Sequence, residues 1–219
     1  GKGNHMTQKL ERDERLSKEL RDALAGKRIL LFGLEKGSAG SFLQELTEAA
    51  EQPGHTFTVL QEAEEITPED YVILFADETG SPGAALELAA SGRPAGALFM
   101  SGSCVYGTCF GTRKPREEHE LGYACHTAAA DRRASGLRIA ENLVHRLAVE
   151  EGVHIAVARM PEHPDGMRTV EAAMQVLLYG KPGEAYNLPG KCAAQEEHSP
   201  LSPIQIVTDT KKVQALIRK

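Results

Sequence analysis

The amino-acid sequence predicts an α/β fold in which helices cover both faces of a doubly wound, mainly parallel sheet. Five short segments are continuous apolar runs, which is the composition of strands buried on both faces. Segments with apolar residues at helical spacing alternate with these runs along the chain. The first run ends in a glycine-rich turn that leads into a helical segment. Strands that alternate with helices form parallel sheets, since each helix returns the chain to the same edge.

The predicted elements follow one another in a regular order. The apolar runs predict strands at 28–33, 56–60, 71–76, 95–100 and 153–158, with shorter extended pieces at 185–188 and 204–207. The helical spacing predicts helices at 7–26, 41–51, 84–91, 133–149, 167–179 and 210–217. The acidic, proline-containing connection between the second and third strands is too short for a further strand and helix.

The length of 219 residues suffices for one domain with a substantial core. Residues 1–6 have the character of a tag remnant that ends at Met6, and residues 7–26 predict an N-terminal helix packed on the domain. We expect a single α/β domain over 27–219, with a reduced C-terminal lobe from about residue 160. Within this lobe, residues 190–202 are rich in Gly, Pro, Ser and Glu and predict a mobile loop.

The charge pattern favours small molecules or proteins as partners. The net charge is −6 and the lysines and arginines are dispersed, which disfavours a nucleic-acid or anionic-membrane surface. No apolar run reaches the roughly 20 residues that span a bilayer, and no signal-peptide pattern opens the chain, so we expect a cytoplasmic protein. The four cysteines lack CxxC spacing, which predicts reduced thiols and no metal site.

Six segments occur in an order that characterises one family. They are the glycine turn after residues 29–32, the strand at 71–76, the Ser101-Gly-Ser-Cys-Val-Tyr-Gly107 turn, the helix at 133–149 followed by Val-Ala-Arg159, Gly183-Glu-Ala-Tyr-Asn187, and Asp209-Thr-Lys-Lys-Val213. Together they resemble the extended short-chain dehydrogenase/reductases, the NAD-dependent epimerase/dehydratase family that acts mostly on nucleotide sugars. The resemblance implies a Rossmann-like fold with a reduced C-terminal substrate region.

The glycine turn bears on whether a dinucleotide binds. In the family, a strand-turn-helix unit with Gly-x-x-Gly-x-x-Gly places pyrophosphate at the helix N-terminus. Here the turn is one residue longer and contains Glu35. The resemblance implies NAD or NADP as a possible cofactor, bound through Gly33, Gly37, Ser38, Gly40 and Glu62. The alternative is that the glycines serve close packing between helix and strand and bind nothing.

The family's catalytic groups are missing from the matching positions. Its chemistry needs a tyrosine acid/base, a lysine four residues later and a serine or threonine. The match places Arg133 at the tyrosine, Leu137 at the lysine and Gly102 at the serine. Shifting the match by one residue gives Arg132 and Gly136, and neither alignment restores the pair. Arginine stays protonated near neutral pH, so it cannot replace the tyrosine as an acid/base.

These losses predict a catalytically impaired or inactive epimerase/dehydratase-like protein, a scaffold or regulatory partner in nucleotide-sugar or glycan metabolism. The alternatives are an NAD(P)-dependent enzyme with non-standard catalytic residues and a nucleotide-binding or dinucleotide-binding sensor. Because the family builds dimers on its long helix, we expect a homodimer, or a heterodimer with an active paralogue, through residues 133–149. The apolar face of this helix is Leu137, Ala140, Leu143, Val144 and Leu147.

Cysteines and histidines in the loops after the fourth strand offer a further possibility. Cys104, Cys109 and Cys125 lie in or near the same predicted loops as His119 and His126. A Cys/His pair could form a nucleophile and its base, although tolerated loop cysteines are the more common case. We expect Tyr106 to fill the core or the position of the cofactor.

Overall fold

A six-stranded parallel sheet forms the centre of the molecule. The computed structural model describes residues 16–33, 40–54, 56–61, 63–106, 118–119, 129–191 and 211–216. The strand order is β2-β1-β3-β4-β5-β7, and every neighbouring pair is parallel. The strands are β1 (Arg28–Phe32), β2 (Thr58–Gln61), β3 (Tyr71–Phe75), β4 (Gly96–Gly102), β5 (Ile155–Met160) and β7 (Ala185–Asn187). A separate antiparallel pair joins β6 (His163–Pro164) to β8 (Gly190–Lys191).

Helices connect the strands and cover the sheet. They are α1 (Lys18–Leu24), α2 (Gly40–Glu51), α3 (Ala85–Gly92), α4 (Ala129–Glu151), α5 (Gly166–Tyr179) and α6 (Lys211–Gln214), with a short 3₁₀ helix at Ser103–Tyr106. None of the helices in the described ranges has the length and hydropathy needed to cross a membrane.

Alternate strand residues face two separate apolar cores. Ile29, Leu31 and Ile73 pack with helices α1, α2 and α5 on one face of the sheet. Leu30 and Leu74, one residue further along each strand, pack with α3 and α4 on the other face. This alternation follows from the two-residue side-chain period of a strand and explains why the strands are apolar throughout. The predicted α/β class with a mainly parallel, doubly wound sheet is confirmed.

The order in which successive strands are added to the sheet reverses at β1. Strand β2 lies on one side of β1 and β3 lies on the other, so the crossovers on the two sides run in opposite directions. Residues 62–70 connect β2 to β3 without an intervening helix or strand among the described positions, as the short connection predicts. Such reversal points open a crevice at the carboxyl ends of the strands, where ligands bind in open α/β sheets.

The structure changes several sequence expectations. The long helix runs from Ala129 to Glu151 and is longer at both ends than predicted. Leu143, assigned to the apolar face of this helix, is 40% exposed, because it lies at the margin of the face formed by Leu137, Ala140 and Val144. The loop predicted at 190–202 begins with β8, whose Lys191 pairs with His163; its remainder lies outside the described residues, as does the extended piece at 204–207.

The N-terminal helical segment is described from residue 16 onward. Helix α1 begins after Ser17, whose hydroxyl accepts a bond from the Leu20 amide at 3.5 Å. Leu16, Leu20 and Leu24 are buried in the core that contains α5. Their spacing places the three side chains on one side of a helix, which explains the narrow apolar stripe of the sequence.

Candidate functional site

A cleft of about 350 Å³ opens where the carboxyl ends of β3, β4 and β5 meet the first turn of α2. Its described lining residues are Gly40, Ser41, Phe42, Phe75, Ala76, Met100, Ser101, Gly102, Ser103, Cys104, Arg133, Met160, Pro161, Glu162 and Pro164. The volume lies within the range of small-molecule sites in proteins, roughly 300–1,000 Å³. The cleft therefore has both the position and the size expected of a ligand site in this fold.

The glycines at the two ends of the turn after β1 differ in their surroundings. Gly33 has φ +86°, and a Cβ atom there would collide with the carbonyl oxygen of Phe75. Close packing of β1 against β3 is therefore sufficient to require glycine at this position. A Cβ on Gly40 would meet no atom within 4 Å, and Gly40 lines the cleft. Gly37, Ser38 and Glu62, the other predicted cofactor contacts, lie outside the described residues.

The three positions matched to the family's catalytic groups lie together. A Cβ atom on Gly102 would be 3.7 Å from Leu137 Cδ1 and 3.7 Å from Cys104 Sγ. Leu137 has no exposed surface and belongs to the core beneath β4. Arg133, one turn earlier on α4, lines the cleft beside Gly102. The alignment that uses these residues thus brings all three to one place, whereas Arg132 of the shifted alignment is exposed.

Arg133 has an unsatisfied donor. Its Nε atom is buried and makes no hydrogen bond, and no ion pair joins Arg133 to another described residue. A buried donor without a partner costs about 1–3 kcal/mol, so such groups usually have a partner or bind a ligand. Glu162 is the other charged residue among the described lining residues, which gives the cleft one cation and one carboxylate.

The thiol of Cys104 also faces this cleft. Burial raises its pKa above the ordinary value, and the carboxylates of Glu141 and Glu162 act in the same direction. The positive charge of Arg133 opposes them but does not reverse the shift. The cysteine is therefore a neutral thiol near pH 7, not the thiolate that a nucleophile requires. Cys109, Cys125 and His126 lie outside the described residues, so the Cys/His alternative stays a prediction.

A second arginine, Arg159, lies behind the cleft in a buried polar network. Its guanidinium binds the Glu141 carboxylate through Nη2 at 2.7 Å and through Nε at 3.2 and 3.3 Å. Nη1 donates to the Tyr106 hydroxyl at 3.0 Å and to the Glu118 carbonyl at 2.6 Å. Burial alone would lower the pKa of Arg159, but the hydrogen bonds and charge of Glu141 raise it above the ordinary value. Arg159 thus stays charged and fully engaged.

Tyr106 belongs to this network and not to the cleft lining. Its hydroxyl donates to Asn187 Oδ1 at 2.6 Å while it accepts from Arg159. Burial raises the pKa of Tyr106, and Arg159 opposes the shift. Of the two expected positions for Tyr106, the core and the position of the cofactor, the structure shows the core. This tyrosine therefore does not replace the missing acid/base. Ser101 is similarly occupied, since its hydroxyl donates to Glu141 at 2.7 Å.

The loop after β3 supports the helix that carries Arg133. Asp77 organises this loop by accepting bonds from the amide and hydroxyl of Thr79, at 2.8 and 2.7 Å. A Cβ atom on Gly136 would collide with the Thr79 carbonyl oxygen and lie 2.9 Å from the carbonyl carbon. Backbone therefore touches backbone where the loop meets α4, and glycine at 136 is required for that contact. Sequence reasoning had assigned Gly136 only to a shifted catalytic match.

A second depression, of about 630 Å³, separates α3 from α4 on the outer surface. Its walls include Leu86, Leu143, Leu147 and Val153, with Glu87 and Glu151 among its polar residues. This groove contains two of the apolar residues assigned to the dimer face. No group of three or more potential metal-ligand side chains occurs within the described portion of the chain.

Comparisons with known proteins find similarity in structure but not in sequence. No family model and no curated protein sequence matches the chain. A UDP-galactose 4-epimerase superposes with a TM-score of 0.55 and 15% identity, over 86% of this chain and 91% of that one. A dTDP-glucose 4,6-dehydratase double mutant from Streptomyces venezuelae, with NAD and DAU bound, gives a TM-score of 0.54 and 14% identity, over 84% of this chain and 71% of that one.

This chain has the fold of the nucleotide-sugar epimerases and dehydratases. A third structure, RMD from Pseudomonas aeruginosa complexed with NADPH, agrees with a TM-score of 0.52 and 18% identity, over 74% of this chain and 77% of that one. Identities this low establish the fold and leave the chemistry to be argued from the site. The resemblance predicted from six short segments is confirmed at the level of the fold.

The described residues fit only part of a nicotinamide dinucleotide. Gly40 and Ser41 leave open space at the start of α2, where the fold family places pyrophosphate. At the matched lysine position, the buried Leu137 offers no donor to a ribose hydroxyl. Arg133 would put a positive charge near the oxidised, positively charged nicotinamide ring. The described lining therefore leaves open space at the start of α2 and offers no donor at Leu137.

Proposed function

We propose that the protein is a catalytically inactive relative of the nucleotide-sugar epimerases and dehydratases that binds a nucleotide ligand in the cleft and acts as a regulatory or scaffold partner. One observation carries this proposal: Gly102 and Arg133 line the cleft and Leu137 is buried beside Gly102, where the resemblance requires Ser, Tyr and Lys. None of the three has a group that can give and recover a proton near pH 7.

Three described neighbours of these positions, Tyr106, Ser101 and Cys104, do not supply the missing chemistry. Tyr106 and Ser101 have their hydroxyls bound within the buried network, and the raised pKa of Cys104 keeps its thiol neutral. Loss of acid/base catalysis alone reduces rates by roughly 10²–10⁴. The cleft itself persists, with the first turn of α2 at one side and Arg133 at the other. Binding without turnover follows from this combination.

The outer groove supports the partner role. Leu143 is 40% exposed, and the apolar side chains of Leu147, Leu86 and Val153 line the same groove. Ile139 and Val149, also on α4, are 64% and 66% exposed. Burial of such side chains is worth about 1.5–3 kcal/mol each. We therefore propose association through α4, either with a second copy or with an active paralogue.

The cleft proposal is tested by calorimetric titration with UDP-glucose, UDP-galactose and dTDP-glucose, alongside turnover assays with NAD⁺ and NADP⁺. We expect saturable binding of at least one nucleotide sugar and no product. Free glucose is the ligand control, and Ser103→Trp, which fills the cleft, should abolish binding while the protein stays folded. Turnover above the no-protein rate would overturn the inactive assignment, and absence of binding would overturn the ligand role.

The partner proposal is tested separately by light scattering during gel filtration. Leu143→Glu should shift the protein toward the monomer, or release a co-purified paralogue, because it places a charge in the groove. Tyr179→Glu is the matched control, since Tyr179 is 43% exposed on α5 at the opposite face of the sheet. A wild-type monomer that captures no partner would contradict this proposal, as would equal effects of the two substitutions.

A further inference from the structure

We propose that Arg133 makes the cleft selective for a nucleotide-linked sugar that carries an acidic group. This inference rests on the proposed nucleotide-binding function and adds the chemical class of the ligand. It concerns the one cation among the described cleft-lining residues, whose buried Nε has no hydrogen-bond partner and which forms no ion pair with another described residue.

The position of Arg133 limits what its guanidinium can bind. The residue belongs to α4, and its side chain lines the cleft close to the Ser101–Cys104 segment. The Glu141 carboxylate, on the same helix, already accepts bonds from Ser101 and Arg159. The Nε atom is buried, so bulk water does not satisfy it. A ligand anion in the cleft would provide the acceptor that the protein lacks.

An anionic ligand group is favoured over a neutral one for an electrostatic reason. Hydrogen bonds between a guanidinium and a carboxylate or phosphate are roughly twice as strong as neutral ones, and the planar fork of donors matches two oxygens at once. Arg133 lies close enough to Cys104 for its charge to lower the pKa of that thiol against the effect of burial. A charge strong enough to act on Cys104 will act on a ligand in the same cavity.

Glu162 explains why the ligand should be a sugar as well as an anion. Its carboxylate lines the same cleft and raises the pKa of Cys104, so it lies near the thiol. A ligand with negative charge alone would be repelled by Glu162. A sugar acid presents its carboxylate to Arg133 and its hydroxyl groups, which are donors, to Glu162. The pair of opposite charges thus matches a ligand that has both kinds of group.

Titration calorimetry with two nearly identical ligands tests this inference. UDP-glucuronate and UDP-glucose differ only by a carboxylate in place of a hydroxymethyl group. We expect wild-type protein to bind UDP-glucuronate about tenfold or more tightly, which corresponds to about 1.4 kcal/mol. Arg133→Gln should reduce the ratio of the two affinities to about one. Arg133→Lys should keep part of the preference, since it keeps the charge but loses the fork.

Two variants serve as controls. Arg132→Gln removes an exposed arginine from the adjacent position and should leave the ratio unchanged. Glu162→Gln should increase the ratio, because it removes the carboxylate that repels the anion. Each variant is compared with wild type by circular dichroism, and ratios of two ligands on the same protein cancel differences in the active fraction.

The outcomes separate this inference from the proposed function. If wild-type protein binds both ligands equally, or if Arg133→Gln leaves the preference intact, the inference is wrong while the nucleotide-binding function stands. If Arg132→Gln instead abolishes the preference, the selective residue is Arg132 and the assignment to Arg133 fails. If neither ligand binds, the proposed function fails and the inference fails with it.

Discussion

Two arginines, Arg133 and Arg159, lie close to the cleft and differ in what the protein provides for them. Arg159 is 5% exposed and donates to Glu141, to Tyr106 and to the Glu118 carbonyl. Arg133 is partly buried, and its Nε atom has no acceptor. Glu141, the carboxylate that neutralises Arg159, lies two turns beyond Arg133 on the same helix.

This difference separates a structural role from a binding role. Charges removed from water are stable only with a partner, and Arg159 is bonded to Glu141 of α4, to Tyr106 of the 3₁₀ helix and to the Glu118 carbonyl. Tyr106 extends the network to Asn187 of β7. The network therefore joins three parts of the fold. Arg133 Nε bonds to no residue within the described part of the chain, which leaves this donor open to a ligand in the cleft.

The largest expected effect follows from breaking the Arg159 network. Arg159→Met leaves the Glu141 carboxylate buried and unpaired, which should lower the free energy of unfolding by about 3–5 kcal/mol. Arg133→Met removes a guanidinium that lacks a partner and should change the stability by less than about 1 kcal/mol. Urea denaturation of both variants measures the contrast. Equal losses would mean that Arg133 is as fully paired as Arg159.

A double substitution sharpens the same contrast. Glu141→Leu combined with Arg159→Met removes both charges and should cost less than the sum of the two single substitutions. The residual loss measures the hydrogen bonds of Ser101 and Tyr106 that disappear with the pair. Strict additivity would show that the two charges do not depend on each other.

An intermediate effect is expected at the contact that positions α4. In an exposed helix Gly→Ala adds about 1 kcal/mol of stability, but a Cβ atom on Gly136 collides with Thr79. Gly136→Ala should instead reduce the free energy of unfolding by about 1–3 kcal/mol through overpacking. Ser135→Ala, one residue earlier, is the control and should have little effect. A stabilised Gly136→Ala would mean that the loop after β3 does not touch the helix.

The smallest expected effect is a change in the reactivity of Cys104, which reports the charge of Arg133. Because burial raises the pKa of this thiol, alkylation by iodoacetamide should be slow at pH 7 and accelerate as the pH rises. Arg133→Gln removes the charge that lowers this pKa, so the variant should react more slowly at each pH. Glu162→Gln should react faster. Peptide mass spectrometry isolates Cys104, and identical rates would place both charges too far away to matter.

The sequence was most informative where local pattern decides structure. Apolar runs placed the five main strands of the sheet to within two or three residues at their ends, because strands buried on both faces leave no other pattern. The short connection after β2 correctly predicted that its described residues, 63–70, form no further strand or helix. The spacing of Leu137, Ala140 and Val144 identified the buried face of α4.

Long-range partners could not be predicted in the same way. Tyr106 and Asn187 are 81 positions apart, and Ser101 and Glu141 are 40 apart, so no spacing rule connects them. Glu141 lies on a charged helix and resembles a solvated residue until β5 brings Arg159 beside it. The exposure of Leu143 could not be predicted either. Helical periodicity defines the apolar face of α4 but not how far the neighbouring elements cover that face. The alignment matched Gly102 and Arg133 to catalytic positions of the family. Only the structure shows that both residues line the same cleft.

The short strand β2 forms one edge of the sheet among the described residues, with β1 on its inner side. An unpaired edge offers backbone donors and acceptors to any other extended chain, which promotes aggregation. Strand β2 has only four residues, and its terminal positions, Thr58 and Gln61, expose polar side chains. A strand of another chain would therefore find few backbone donors and acceptors to pair with. The short, polar-ended β2 therefore limits edge-to-edge association of the sheet with another chain.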